Sequence, residues 1–92
     1  MERLRSALHH PLSEVRMAAI ISLGYRCEVD SAMPLARCAL AYPQDIVQAL
    51  EIIQAIAHLP PGDERTVALR LLQEHPIDAV NRRASELLAT HL

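Results

Sequence analysis

The sequence predicts an all-α fold, an α-solenoid of about six helices in antiparallel hairpins, filling one domain over residues 1–92. Three observations predict it. Half of the chain is apolar, yet Tyr25 and Tyr42 are its only aromatics, so Ala and Leu must fill the core. Ala lets helix axes approach closely and Leu fills the space left over. Two glycines and no sustained Val/Ile/Thr alternation leave no signal for a sheet. Finally, Pro11, Pro43 and Pro76 each follow a bulky residue (His10, Tyr42, His75) at spacings of 32 and 33 residues, a period typical of stacked helical hairpins.

Aligned on these prolines, the chain yields its elements in order. A short helix over about 2–9 carries Leu4 and Ala7 on one side. The next, over about 14–26, follows Ser13 as N-cap, whose side-chain oxygen suits the free amides of a first turn. Its buried stripe is Val15, Ala19 and Leu23, residues four apart that share a face. Asp30 opens a helix over about 31–41, with Ala36 and Ala39 aligned to Leu4 and Ala7. Pro34 fits its first turn, where the missing N–H costs nothing. Asp45 caps a helix over about 46–58, with Val47 and Ala55 in the stripe. Glu51 is a misfit there, and Leu50 or Ile52 takes its place. The turn Leu59-Pro60-Pro61-Gly62 and Asp63 lead into a helix over about 64–74 carrying Leu69 and Leu72. Asp78 caps the last helix, about 79–91, with Val80, Ala84 and Leu88 facing the core. The connections are short, so neighbouring helices run antiparallel.

The segment from Pro11 to Gly24, reading Pro-Leu-Ser-Glu-Val-Arg-Met-Ala-Ala-Ile-Ile-Ser-Leu-Gly, resembles the HEAT repeats of phycobilin-lyase-like proteins. Those repeats favour a proline, then Val-Arg, an Ala three residues on, and a closing Leu-Gly. Ser31–Leu40 resembles their second helix, a proline near its start included. The likeness is strong over residues 11–42 and weakens after them, where Gln48 and Asn81 replace the arginine that stands at Arg16. It implies 2.5–3 HEAT-like repeats starting near Pro11, Pro43 and Pro76, wound as a right-handed superhelix with the second helices on the concave face. It also implies that Arg16 is structural and bridges to acidic groups of adjoining turns. No activity follows from the likeness alone.

Charge and chemistry narrow the function further. A net charge of −2 disfavours a nucleic-acid surface, although all nine basic residues are Arg and Lys is absent. Cys27 and Cys38 lack zinc-ligand spacing and lie on expected apolar faces, which predicts inert thiols. No metal site is expected from the five histidines: His9 and His10 diverge on a helix, and none forms a His-x-x-x-His pair. No nucleophile elbow, phosphate loop or convergent carboxylate pair is present, so neither a catalytic residue nor a cofactor is expected. No apolar run is long enough to span a membrane and no signal peptide opens the chain, which predicts a cytoplasmic protein.

What remains is binding. Arg5, Arg37 and Arg70 each stand six residues before a repeat proline, away from the buried stripe. They predict a ladder on or beside the concave surface, suited to an acidic protein partner. Leu87, Leu88 and Leu92 predict an uncovered apolar end of the stack, and a homodimer that covers it. The resulting expectation is a non-enzymatic protein-interaction scaffold or adaptor. Two alternatives stand beside it: an accessory or lyase-like protein for a tetrapyrrole chromophore, and a fragment of a longer repeat array.

Overall fold

The computed structural model describes residues 2–90. Six α-helices follow one another: α1 (Glu2–Ala7), α2 (Ser13–Arg26), α3 (Ala32–Ala41), α4 (Ile46–Ala57), α5 (Asp63–Leu72) and α6 (Asp78–Ala89). A 3-10 turn, Val29–Ser31, leads into α3, and there is no strand among the described residues. The all-helical expectation holds, with helix boundaries within about two residues of the expected ones. No helix among the described residues is long and apolar enough to cross a membrane.

Packing follows alternate helices. α2 lies along α4 and α4 along α6, while α3 lies along α5 on the other side of the core. The pairs α1–α2, α3–α4 and α5–α6 touch across the three proline corners. The molecule is a slab of 36 × 25 × 15 Å, and its thin dimension matches two helix layers with axes about 10 Å apart. Between the layers lie Leu8, Ile20, Leu23, Leu35, Ala36, Ile52, Ile56, Leu69, Leu72 and Val80, all fully buried. Small residues set the spacing. A Cβ added to Gly24 of α2 would stand 3.2 Å from the Ala55 Cβ of α4, so the two helices meet where neither carries bulk.

The expected stripe at Val15, Val47 and Val80 is only partly correct. Val80 is fully buried and Val15 half-buried, but Val47 is 68% exposed. α4 instead turns Gln48, Ala49, Ile52, Ile53, Ala55 and Ile56 inward, and Ile52 rather than Leu50 takes the place of Glu51. The reason is that the polar residues of α4 do not by themselves select its exposed side, since Gln48 is buried and Glu51 half-buried while Val47 and Leu50 are exposed. The polar ladder described below does.

The corners depart from the expected capping, and a single substitution accounts for it. At two corners the residue before proline is histidine. His10 Nδ1 accepts the Leu12 amide and His75 Nδ1 accepts the Ile77 amide, each at 3.1 Å. These are the first amides after a proline that has none. With them satisfied by the ring, α2 and α6 begin two residues after the proline, at Ser13 and Asp78, and neither residue is a cap. At the middle corner Tyr42 offers no ring nitrogen. There Asp45 caps α4 through the Gln48 amide at 3.1 Å, and the helix starts one residue later, at Ile46. Asp30 and Asp63 do not cap either. Asp30 lies in the 3-10 turn, and Asp63 is the first residue of α5, behind Gly62.

Candidate functional site: the helix faces and their buried arginines

The column Arg16, Gln48 and Asn81 points inward and ties the corners together. Arg16 is only 5% exposed. Its Nη1 donates to the carbonyls of His10 (2.8 Å) and Pro11 (3.1 Å), and its Nε donates to Gln48 Oε1 at 2.7 Å. Asp45 lies 3.7 Å from Nη2, and the guanidinium carbon stands 3.7 Å over the Tyr42 ring. Arg16 therefore joins α2 to the entry of α4, an acidic group included, as its structural reading anticipates. Asn81 repeats part of the pattern, its Nδ2 donating to the His75 carbonyl at 2.9 Å. His75 is buried and its Nε2 lies 3.2 Å from the Ala39 carbonyl. With Nδ1 accepting from Ile77, Nε2 carries the ring proton and donates. Gln48 Nε2 and Ser31 Oγ are buried without hydrogen-bond partners among the described residues.

The arginines expected to form one ladder are divided. Arg5 is half-buried and lies 3.8 Å from Asp30. It shares a shallow depression between α1 and α3 with Arg37, which is exposed and makes no ion pair among the described residues. Arg70, also exposed, stands in a different depression between α5 and α6. The expected apolar end is altered as well. Leu87 is buried, because α6 turns Val80, Ala84 and Leu87 to the core, and Leu88 packs partly against it. Leu92 lies outside the described residues.

The cysteines also separate. Cys38 is buried, its Sγ 3.4 Å from the Leu8 carbonyl, and burial pushes its thiol up to about 11. Cys27 is not on an apolar face. It is exposed beyond the end of α2, in the left-handed region at φ 52°. Both thiols are free. No group of three or more His, Cys, Asp or Glu side chains placed to hold a metal ion occurs among the described residues.

Exposed apolar surface gathers instead on the outer side of α2 and α4. Tyr25 is 85% exposed, and Ile21, Ile46, Val47 and Leu50 are exposed with it. A groove of about 500 Å³ runs between the two helices, from Ile21 and Glu51 to Cys27 and His58, with Gly24 and Ala55 at its narrowest point. A second depression, which shares Gln54 and His58 with the first, continues past Leu50 toward Ala79 and Arg83 of α6. Sequence reasoning missed this surface because it counted Val47 into the core and assigned Tyr25 to no face. The available signal was Tyr25 itself, which lies two residues beyond the last stripe position, Leu23. A scan against protein-family models finds no match to this chain, and searches of curated proteins and of solved structures return no similar chain.

Proposed function

We propose that this chain is a non-catalytic protein-interaction module, a HEAT-like α-solenoid segment that binds an amphipathic helix of a partner protein along the α2–α4 groove. The observation that carries the reading is that groove, lined by the exposed Ile21 and Tyr25, with the exposed Leu50 in the depression that adjoins it at Gln54 and His58. An exposed tyrosine beside aliphatic side chains is the composition of interface centres, because a rigid amphipathic ring gives large contact area at small entropic cost. Glu51, Gln54 and His58 edge the groove with polar groups. The run from Ile20 to Cys27 along α2 is about 10 Å, two turns, which suits the i, i+3, i+4 anchors of a docked helix. The packing of alternate helices and the proline period support the solenoid part of the reading. The acidic-partner ladder belongs to α1, α3 and α5, where Arg5 already meets Asp30 and Arg70 stands apart, so the α2–α4 face is preferred.

Site-specific photocrosslinking in the native cell tests it. A benzophenone amino acid replacing Tyr25 or Leu50 is expected to give a discrete partner adduct, while the same probe at Arg37 or Arg70 gives none. Adducts confined to Arg37 and Arg70, or none at any position, would overturn the proposal.

A further inference from the structure

Arg65 has no part in the ladder or in the α2–α4 face. It belongs to the first turn of α5, is 4% exposed, and aligns with Ala32 of the preceding repeat, so the repeat pattern does not demand it. Its Nε donates to the Ile56 carbonyl at the end of α4, 3.3 Å away. Neither Nη has a hydrogen-bond partner among the described residues, and no carboxylate there lies within ion-pair distance. A guanidinium carries five donors in a fixed fork, so most of this one is unused. Burial, and then the neighbouring positive charge of Arg83, disfavour its protonated form, as expected where no anion balances it.

Arg65 lines a depression between α5 and α6 of about 600 Å³, within the range of small-molecule sites. Arg70 and Thr66 line it too, neither with a side-chain partner among the described residues. Gln73 donates to Ser85 Oγ at 3.0 Å across it, and Ser85 passes a bond to the Asn81 carbonyl at 3.2 Å, so the two helices are strutted apart at a fixed width. Leu88 supplies an apolar wall. Asp63, the one carboxylate among the described residues that line it, is exposed, where water screens it.

We infer that this depression binds a small organic phosphate, its phosphate held by Arg65, Arg70 and Thr66 and its organic part resting on Leu88. Two unpaired guanidinium groups match the charge of a phosphate monoester, about −1.5 to −2 at neutral pH, better than that of a carboxylate. The two forks and one hydroxyl also supply donors for three phosphate oxygens, whereas a carboxylate has two oxygens.

The test is an amide chemical-shift titration of the whole chain with phenyl phosphate, inorganic phosphate and benzoate at constant ionic strength. Phenyl phosphate is expected to give saturable shifts centred on Gly62, Thr66, Arg70 and Gln73. Inorganic phosphate should bind the same residues more weakly, and benzoate weakest of all. Arg70→Ala, at an exposed position that leaves the fold intact, should weaken phenyl phosphate on the order of tenfold, the size of one charge-assisted hydrogen-bonded contact. Arg37→Ala should change nothing. Arg65→Lys keeps a charge but loses the fork and should weaken binding at least as much, with circular dichroism reporting whether the helices persist. The inference is overturned if the shifts are linear and scattered over all arginines, if benzoate binds as well as phenyl phosphate, or if Arg70→Ala binds as the unmodified chain does.

Discussion

Arg16 and Arg65 are each at most 5% exposed, yet they stand in different electrostatic conditions, and the Nη atoms of Arg65 reach the open α5–α6 depression. Desolvating a guanidinium costs several kcal/mol unless hydrogen bonds and an opposite charge offset it. Arg16 has two carbonyls, an amide oxygen, Asp45 and the face of Tyr42, whereas Arg65 has one carbonyl. The same residue type thus acts as a fastener on α2 and leaves donors over on α5. Cys27 is a residue of a third kind, because its backbone, not its side chain, decides its energetics. At φ 52° a non-glycine residue is strained, and helices commonly end with glycine at this position. Cys27→Gly is therefore expected to raise stability by about 0.5 to 1 kcal/mol despite the greater freedom it gives the unfolded chain, since relief of the left-handed strain is the larger effect. Urea denaturation of the two proteins under reducing conditions checks this. An equal or lower midpoint for the glycine variant would show that the Sγ contact to the Gly24 carbonyl, at 3.3 Å, outweighs the strain.

At the scale of elements, legibility depended on whether the polar residues of a helix mark its exposed side. In α6 the charged Arg82, Arg83 and Glu86 oppose the buried Val80 and Ala84, so the sequence places Val80 correctly. In α4 the polar residues mislead, since Gln48 is buried and Glu51 half-buried while Val47 and Leu50 are exposed, and Val47 was assigned to the wrong side. The helices themselves were readable because prolines mark every connection except that between α2 and α3. The capping was not, since a ring nitrogen of His10 or His75 substituting for an aspartate cap depends on rotamer and corner geometry, not on spacing. The candidate surfaces were less legible still. Arg70 was singled out and does line a depression, but its companion there is Arg65, whose burial follows from α5 meeting the end of α4. A paired substitution measures the difference between α4 and α6. Val80→Asp should destabilise by several kcal/mol, because an unpaired carboxylate would enter an apolar interface. Val47→Asp should stay within about 0.5 kcal/mol of the parent, as exposed substitutions usually do. Thermal melts of both variants decide it, and comparable losses would place Val47 in a covered site.

For the molecule as a whole, the pairing of alternate helices means that positions in the ends and in the middle are not equivalent. α4 is flanked by α2 on one side and α6 on the other, with α3 crossing beneath it, while α1 and α6 each have a side with no helix against it. Packing joins helices adjacent or next-but-one along the chain, with no strand pairing among the described residues, so little order needs to be held at long range before local contacts form. If the helices form the solenoid proposed above, stability is closer to a sum over neighbours than to a single all-or-none core. A consequence concerns breathing. Opening should begin at the edges and reach the centre last, so amide protons ought to exchange with solvent in a gradient, fastest in α1, slower in α6, and slowest in the α4 stretch from Ile52 to Ile56. Hydrogen–deuterium exchange followed residue by residue measures that gradient directly, and uniform protection across all six helices would mean that the chain opens as one unit. If the gradient is found, the α2–α4 groove has its firm wall in the last helix to open, so a ligand gripping α4 would meet a surface that stays folded while the margins of the molecule fluctuate.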